Sequence, residues 1–425
     1  MADQMSTPSM EEFRAEVTYF LDAKARPRET EQKFVWGEGD DGVSLFDEKT
    51  IQQERAELAE AKEWRGERYD AGLGWIAGPE EYGGRELPSS YERLYGALES
   101  RYEIPNQTYF GIGLGMVAPT IAAHATDEVK DAYLSQMYRG DVVGCQLFSE
   151  PAAGSDLAGL TTRAERDGEE WLLTGQKVWT SGAQYSDIGE VICRTDPEQP
   201  KHRGLTGFVV DMRAPGVEVR PLRQMTGGAS FNEVFFNEVR VPDSHRLGDV
   251  NGGWTVALTT LMNERASIGA GASGGGLGLA NANRLAEMLR HFGLERHPVY
   301  RQELAKLYIA FQVAKFTNQR ALDKIKAGEL PGAELSTAKL ALTNNLTATG
   351  QFISRVLGAR ITADTGEWGT FAWSKFVLGT PGMRVAGGTD EVMKNIVGER
   401  VLGLPKDPGI DSKTPFKDLK VGTQS

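Results

Sequence analysis

The chain has 425 residues, of which 40% are apolar, 25% charged and 9% aromatic, a composition typical of globular proteins and unlike that of disordered chains. Its 47 basic and 59 acidic side chains leave a net charge of −12, which argues against non-specific nucleic-acid binding because such binding needs a basic surface. Two cysteines and five scattered histidines show no metal-ligand spacing. No apolar stretch reaches the ~18 residues of a membrane span, and the N-terminus lacks a targeting pattern. We therefore expect a cytoplasmic protein without metal, membrane or nucleic acid.

The first part of the chain has helical spacing. Apolar residues recur at helical intervals over 10–21, behind a Ser/Thr/Pro cluster at 6–9 that offers N-caps. The segments 51–69 and 128–138 have the same character, and glycines and prolines separate them. These elements predict an N-terminal helical domain over residues 1–143.

Short β-rich runs replace the helical pattern between residues 144 and 250. The runs 171–174 and 177–181 are joined by Gly175 and Gln176, which favours a two-residue hairpin connection. Three further runs follow at 205–212, 217–222 and 233–241. Several short strands at this spacing predict a small antiparallel barrel or sandwich over residues 144–250.

Helical spacing returns in the last part of the chain. Apolar residues over 304–314 lie on one helical face that extends to about Lys326, and a further helical run spans 337–357. We expect a C-terminal helical bundle over residues 251–425. The order helical, β, helical predicts a mainly α protein with a central β-barrel domain.

A glycine motif in this last part matches the GxGxxG of dinucleotide-binding folds between Gly269 and Gly274. That motif needs a preceding strand and an acidic residue ~20 positions further on. Here residues 258–268 do not alternate, and the first acid downstream is Glu287. We reject the nucleotide interpretation and expect a glycine face between closely packed helices.

Residues 146–156, QLFSEPAAGSD, are an apolar run that meets a turn. Pro151 restricts φ in this turn, and Gly154 permits close approach to the backbone. The hydroxyls of Ser149 and Ser155 stand on either side of it. Backbone N–H groups in such a turn are available to a phosphate or to the polar edge of a ligand.

Residues 175–182, GQKVWTSG, follow with one large aromatic, Trp179, and small hydroxyl donors that include Ser181. An aromatic face beside small donors suits a planar heteroaromatic ring that stacks and accepts hydrogen bonds. Composition alone favours the alternative, a core tryptophan of a β-barrel with capping serines.

These two segments resemble the TEPxAGSD and GxKxWITNG motifs of the acyl-CoA dehydrogenase family. Residues 78–84, 227–242 and 386–402 are similar to that family's N-terminal turn, last barrel strands and C-terminal signature, so the resemblance covers nearly the whole chain. The way in which the chain diverges from the usual family pattern resembles actinobacterial paralogues, some of which work as mixed tetramers with only half of the flavin sites.

The resemblance implies an FAD-dependent dehydrogenase, an oxidoreductase of fatty acid or lipid catabolism that acts on CH–CH bonds. In the family's reaction an acyl-CoA thioester loses its α-proton to a base and its β-hydrogen, as hydride, to flavin N5. The implied partners are an acyl-CoA substrate, an electron-transfer flavoprotein, and further subunits in a homo- or heterotetramer.

The resemblance also implies which residues hold FAD, in a groove between the β-domain and a helical domain. Trp179 would pack against the isoalloxazine and Ser181 would bond N5, while Ser155 would serve the pyrophosphate or the substrate's pantetheine arm. The implied cofactor contacts are Gln146, Phe148, Ser149, Gly154, Ser155, Trp179, Ser181, Thr389 and Glu391.

The catalytic base is missing from its commonest place in the family. Many members carry a glutamate in a C-terminal Tyr-Glu-Gly-Thr, where this chain has Gly387 in Ala-Gly-Gly-Thr. Members resembling isovaleryl- and long-chain acyl-CoA dehydrogenases place the glutamate before an arginine on the first helix after the barrel, and Glu264-Arg265 stands there.

This second arrangement implies Glu264 as the base, although such a dipeptide alone reads as a solvated pair on a helix. The N–H of Gly387 and a ribityl hydroxyl would hold the thioester oxygen. Arg265 would be a substrate-binding or structural residue.

Three alternatives remain open at this point. A flavin oxidase or monooxygenase would keep the fold and cofactor but react with O₂. A flavin-poor partner subunit of a mixed tetramer is favoured by Leu289, which replaces an expected arginine, and by the altered segment 355–360. A helical scaffold without cofactor is disfavoured by the ordered motifs.

Overall fold

The chain folds in the order helical, β, helical in a computed structural model. The structure describes residues 7–28, 34–46, 49–273, 282–326, 333, 336–406 and 413–419. None of the helices in these ranges combines the length and apolar character needed to cross a bilayer.

The N-terminal part contains five helices in its described residues. They are Met10–Lys24 (α1), Ile51–Asp70 (α2), Ser89–Glu99 (α3), Ala118–His124 (α4) and Asp127–Arg139 (α5), accompanied by the short strands Arg26–Pro27 (β1) and Tyr102–Glu103 (β2). Ser9, from the predicted capping cluster, accepts a hydrogen bond from Glu12 N, and the Glu12 carboxylate accepts one from Ser9 N. A single π-helical turn, Gly113–Val117, leads directly into α4.

Eight strands form the middle part. They are Gly144–Leu147 (β3), Arg163–Asp167 (β4), Glu170–Ser181 (β5), Ile188–Arg194 (β6), Leu205–Asp211 (β7), Val217–Leu222 (β8), Phe231–Pro242 (β9) and Arg246–Leu247 (β10). The sheet order is β10-β7-β6-β4-β5-β9-β8, with β3 beside β6. Both β3 and β4 pair with β6 in parallel, so the prediction of a wholly antiparallel sheet is wrong. Long connections separate these strands from β6, as parallel pairing requires.

The predicted hairpin at Gly175–Gln176 is also wrong, because β5 runs straight through these residues. The turn lies between β4 and β5 instead, where Asp167 pairs with Glu170. A Cβ at residue 175 would lie 2.4 Å from Thr162 Oγ1. Gly175 is therefore needed for close packing within the barrel.

The C-terminal part contains six α-helices in its described residues. They are Gly253–Ser273 (α6), Ala282–His291 (α7), Pro298–Lys326 (α8), Ser336–Leu357 (α9), Trp373–Met383 (α10) and Asp390–Ile396 (α11). Gly269 and Gly271 lie inside α6, so no strand precedes them, and rejection of the nucleotide motif is confirmed. Gly274 lies outside the described residues.

One apolar cluster joins all three parts of the chain. It includes Val117 and Ile121 from the N-terminal helices, Ile192 from β6, and Val256 and Ala257 from α6, all of them buried. This shared core fixes the position of α6 against the barrel. The remaining turns of α6, which carry Glu264, are thereby held near the barrel edge.

Candidate active site

Trp179 lies on the surface of the barrel and is not a core residue. Its backbone has φ +64°, and the pairing of β5 with β9 shifts register between Lys177 and Thr180. Trp179 is 58% exposed, and its indole meets the Phe231 ring in an edge-to-face contact at a centroid distance of 5.9 Å. An exposed tryptophan on a strained backbone indicates a ligand-facing position.

The end of β3 lies directly beside this bulge. Val178 N donates to Ser149 O over 2.9 Å, which places the backbone of Ser149 beside the residue that precedes Trp179. Gln146 and Ser181 are half-buried, as is Ser149. The predicted cofactor contacts of β3 and β5 therefore lie on neighbouring segments of the barrel, and their contact with a cofactor stays a prediction.

A buried ion pair connects β5 to the segment after β3, and the sequence analysis did not identify it. Lys177 Nζ donates to Glu150 Oε1 over 2.9 Å and to Phe148 O over 3.0 Å. The backbone N–H groups of Thr161 and Thr162 donate to the same carboxylate. Burial raises the pKa of Glu150, but Lys177 and these hydrogen bonds outweigh burial and lower it. Phe148 is buried in the core cluster.

The turn after Glu150 is open to solvent. Gly154 and Ser155 are exposed, and a Cβ at residue 154 would meet no atom within 4 Å. Asp156, the next residue, is bound by Lys201 Nζ at 2.7 Å. The chain itself thus leaves the backbone at Gly154 accessible to a ligand.

The Ala386–Thr389 turn carries a second group of predicted site residues. Gly387 and Gly388 both have positive φ, +64° and +88°, a conformation that favours glycine. Lys339 on α9 donates to the carbonyls of Ala386 and Gly388. The Lys339 ammonium therefore hydrogen-bonds the backbone on both sides of Gly387.

Glu264 lies half-buried on α6 and interacts electrostatically with that same ammonium. Burial holds the pKa of Lys339 below its ordinary value, and the charges of Asp390 and Glu264 offset only part of this lowering. Because α6 and α11 both pack against α9, Glu264 and the turn before α11 lie on elements that neighbour the helix of Lys339. The backbone of Arg265 continues α6, and its side chain lies outside the described residues.

Thr389 is the N-cap of α11, which follows the turn. Its Oγ1 accepts a hydrogen bond from Val392 N over 3.1 Å and so caps α11. Glu391 is exposed on the first turn of this helix. A cofactor contact by Thr389 would share the hydroxyl with this cap.

A buried acid in β6, Glu190, was also missed by the sequence analysis. Its side chain is 0% exposed and accepts a hydrogen bond from Thr260 Oγ1 over 2.6 Å. Thr260 in turn contacts Thr120 Oγ1 at 2.9 Å. Burial raises the pKa of Glu190 to about 8. Its signal in the sequence is a single glutamate within the apolar run IGEVIC.

The segment around Leu289 serves the C-terminal core. Leu289 is buried there, and Arg290 pairs with Glu287 on the surface. The buried guanidinium of α7 belongs to Arg284, which donates to Asp41 O over 2.7 Å. The arginine expected at residue 289 is therefore replaced by a packing residue.

Models of the acyl-CoA dehydrogenase N-terminal, middle and C-terminal domains match residues 40–141, 145–239 and 251–402. The acyl-CoA dehydrogenase IpdE1 of Mycobacterium tuberculosis is 32% identical over 403 residues, which are 94% of this chain and 98% of that protein. The acyl-CoA dehydrogenase FadE34 of the same organism is 40% identical over 293 residues, 68% of this chain but only 39% of that longer protein.

Two solved structures share the fold over nearly their whole length. The Tcur3481-Tcur3483 steroid ACAD superposes with a TM-score of 0.71 and 26% identity, covering 94% of this chain and 99% of that one. The ChsE4-ChsE5 complex from Mycobacterium tuberculosis gives a TM-score of 0.66 at 26% identity, covering 95% and 100%.

The fold and the matches to family models and relatives together define the class of protein, a flavin-dependent oxidoreductase that acts on CH–CH bonds. The barrel edge agrees with this class. The chain belongs to the acyl-CoA dehydrogenase family and is an acyl-CoA dehydrogenase. Its cofactor is FAD, as in that family. The exposed face of Trp179 and the open backbone at Gly154 fit such a group.

Proposed function

We propose that the chain desaturates a bulky acyl-CoA, with Glu264 removing the α-proton and the N–H of Gly387 binding the thioester oxygen. The observation that carries this proposal is the shared cation. Lys339 donates to the carbonyls that flank Gly387, and the helix that carries Glu264 packs against the helix that carries Lys339. The charge of Glu264 offsets part of the lowering of the Lys339 pKa by burial. A base and an oxyanion donor must reach one substrate, so a common neighbour favours this pair.

The chemistry divides between a side chain and a backbone. A thioester α-proton is weakly acidic, so its removal needs both a carboxylate and a donor that stabilises the enolate oxygen. Glu264 supplies the carboxylate and accepts the proton. Gly387 has no side chain to obstruct its N–H, and its positive φ turns the backbone in a way that few other residues tolerate.

The barrel edge holds the second reactant. Bound FAD supplies the acceptor for the β-hydrogen, and the residues we propose to hold it are Gln146, Ser149, Ser155, Trp179 and Ser181. The buried Lys177–Glu150 pair keeps this edge in one arrangement, which limits the reorganisation needed during reaction.

The acyl group that we propose is branched or polycyclic. Support comes from the family members that place their base after the barrel, and from a structural relative named as a steroid ACAD.

The partners that we propose are an electron-transfer flavoprotein and further subunits of a tetramer, homomeric or mixed. Ile309, Val313 and Phe316 are large, exposed apolar residues of α8, and their helical spacing puts them on one face. A face of this kind favours burial between subunits. Two structural relatives are named as pairs of different chains.

The test is an absorbance spectrum of the purified protein before and after anaerobic addition of an acyl-CoA panel that includes a steroid thioester. We expect the flavin bands of the wild type to bleach with a bulky thioester. Glu264→Gln should bleach at least about 100-fold more slowly, whereas the control Glu287→Gln on α7 should match the wild type.

Unimpaired bleaching of Glu264→Gln would show that another group is the base. Rapid reoxidation of the bleached enzyme by air would favour the oxidase alternative. A colourless protein would favour the partner-subunit alternative, and co-expression with a paralogue would then be the next step.

A further inference from the structure

Lys339 is a nearly buried cation whose hydrogen bonds converge on one turn. It is 5% exposed, and its Nζ donates to Ala386 O and, over 3.0 Å, to Gly388 O. Burying an ammonium costs several kcal/mol unless partners compensate. Here the compensation consists of two backbone carbonyls on either side of Gly387, which restrains the Gly387 peptide.

A second contact from α9 holds the far end of the same turn. Asp390 is 1% exposed and accepts a hydrogen bond from Thr343 Oγ1 over 2.8 Å. Its other oxygen accepts from Arg384 Nε over 2.7 Å. Lys339 and Thr343 are four residues apart and therefore lie on the same face of α9. This face hydrogen-bonds the segment 386–390 at two points.

The charges around Lys339 come from three elements. Asp390 on α11 and Glu264 on α6 lie on helices that pack against α9, and their charges offset part of the lowering of the Lys339 pKa by burial. Arg384, before the turn, is paired with Asp390. When Glu264 gains a proton, its attraction to Lys339 disappears, so the ammonium is coupled to the charge of the base.

We propose that Lys339 is a positioning residue of the dehydrogenase, which aims the Gly387 N–H at the thioester and keeps Glu264 ionised before proton transfer. The inference rests on the proposed roles of Glu264 and Gly387. A lysine that merely stabilises the fold would change unfolding but would leave the ionisation of the base and the backbone of Gly387 unaffected.

The experiment compares Lys339→Gln, Lys339→Arg and the control Lys394→Gln with the wild-type holoenzyme. Lys394 is exposed on α11, so its substitution removes the same charge close to the turn but outside the buried cluster. The probe is an acyl-CoA with sulfur at the β position, which keeps an acidic α-proton but has no β-hydride to lose. Exchange of its α-hydrogen with D₂O is followed against pH.

We expect Lys339→Gln to move the acid limb of the exchange profile upwards by about one pH unit, because losing a nearby cation makes a carboxylate easier to protonate. The maximal exchange rate should fall about 10–100-fold, because the Gly387 N–H, the oxyanion donor, would be less firmly positioned. Lys339→Arg should keep the acid limb in place while recovering only part of the rate. Lys394→Gln should match the wild type.

A second readout needs no thioester. Amide hydrogen exchange over residues 384–390 should accelerate about tenfold in Lys339→Gln, the equivalent of one lost hydrogen bond. An unmoved acid limb together with unchanged amide exchange would overturn the inference. A loss of exchange rate in Lys339→Gln that is fully explained by a smaller folded fraction of the variant would overturn it as well. If the wild type exchanges no α-hydrogen, the proposed function fails, while amide exchange still decides whether Lys339 holds the turn.

Discussion

Replacing Glu190 by glutamine should remove a pH dependence from the stability of this protein. The Glu190 carboxyl is fully buried in β6 and receives one hydrogen bond, from Thr260. Its Oε2 atom has no hydrogen-bond partner within the described part of the chain. A lone carboxylate in such surroundings is costly, so the group stays protonated in the folded protein.

The magnitude follows from the shift in the pKa of Glu190. Burial raises this pKa from its ordinary value of 4.5 to about 8, so between these pH values the folded state binds more protons than the unfolded state. The stabilising contribution is complete below pH 4.5 and is lost as the pH rises through about 8. Each pH unit is worth about 1.4 kcal/mol, which gives a loss of about 5 kcal/mol over the whole interval.

Glutamine keeps the shape and the acceptor oxygen but does not ionise. The difference in the free energy of unfolding between Glu190→Gln and the wild type should therefore change in favour of the variant by about 3 kcal/mol from pH 5.5 to pH 8. Urea unfolding at four pH values measures this difference. Glu165→Gln, at an exposed position on β4, is the matched control and should give a flat difference.

A flat difference for Glu190→Gln would refute the reasoning, since it would mean that the carboxyl ionises as readily in the fold as in water. An infrared band of a protonated carboxyl, present in the wild type at pH 7 and absent from the variant, is the independent check. An absent band in the wild type would lead to the same refutation.

The other predictions concern the two halves of the site. Lys177→Met should destabilise the protein by about 3–5 kcal/mol in denaturant unfolding, because Glu150 would remain buried without its cation; an unchanged midpoint would contradict this. Trp179→Ala should release FAD during dialysis yet leave the unfolding of the apoprotein nearly unchanged, since the indole is exposed; a large loss of apoprotein stability would contradict a ligand-facing role. Gly388→Ala should lower stability by about 1–3 kcal/mol, because φ is +88° and the new Cβ would lie 2.5 Å from Met393 Cε. A thermal shift within error of the wild type would show that the turn adapts.

The sequence analysis predicted the helices and strands well where local pattern controls them. The described helices α1, α2, α5 and α9 begin and end within a few residues of the predicted segments, because helical periodicity and capping are properties of neighbouring residues. The sequence analysis failed at Gly175. Glycine is common in turns, and only the close approach of Thr162 shows that this glycine lies within a strand.

The candidate site divides in the same way. The resemblance predicted Trp179, Glu264 and Gly387 as site residues, because each lies in a short segment that can be compared with the family by itself. Whether Trp179 is exposed, and whether Glu264 lies near Gly387, depends on the packing of separate elements.

The residues that connect the site were visible only in the tertiary structure. Lys339 and Ala386 are 47 positions apart in the chain, and Glu190 and Thr260 are 70 apart. In the sequence each is an ordinary residue of a helix or a strand. Their roles arise because burial removes water from a charged or polar group, and the group must then find its partner in another element of the fold.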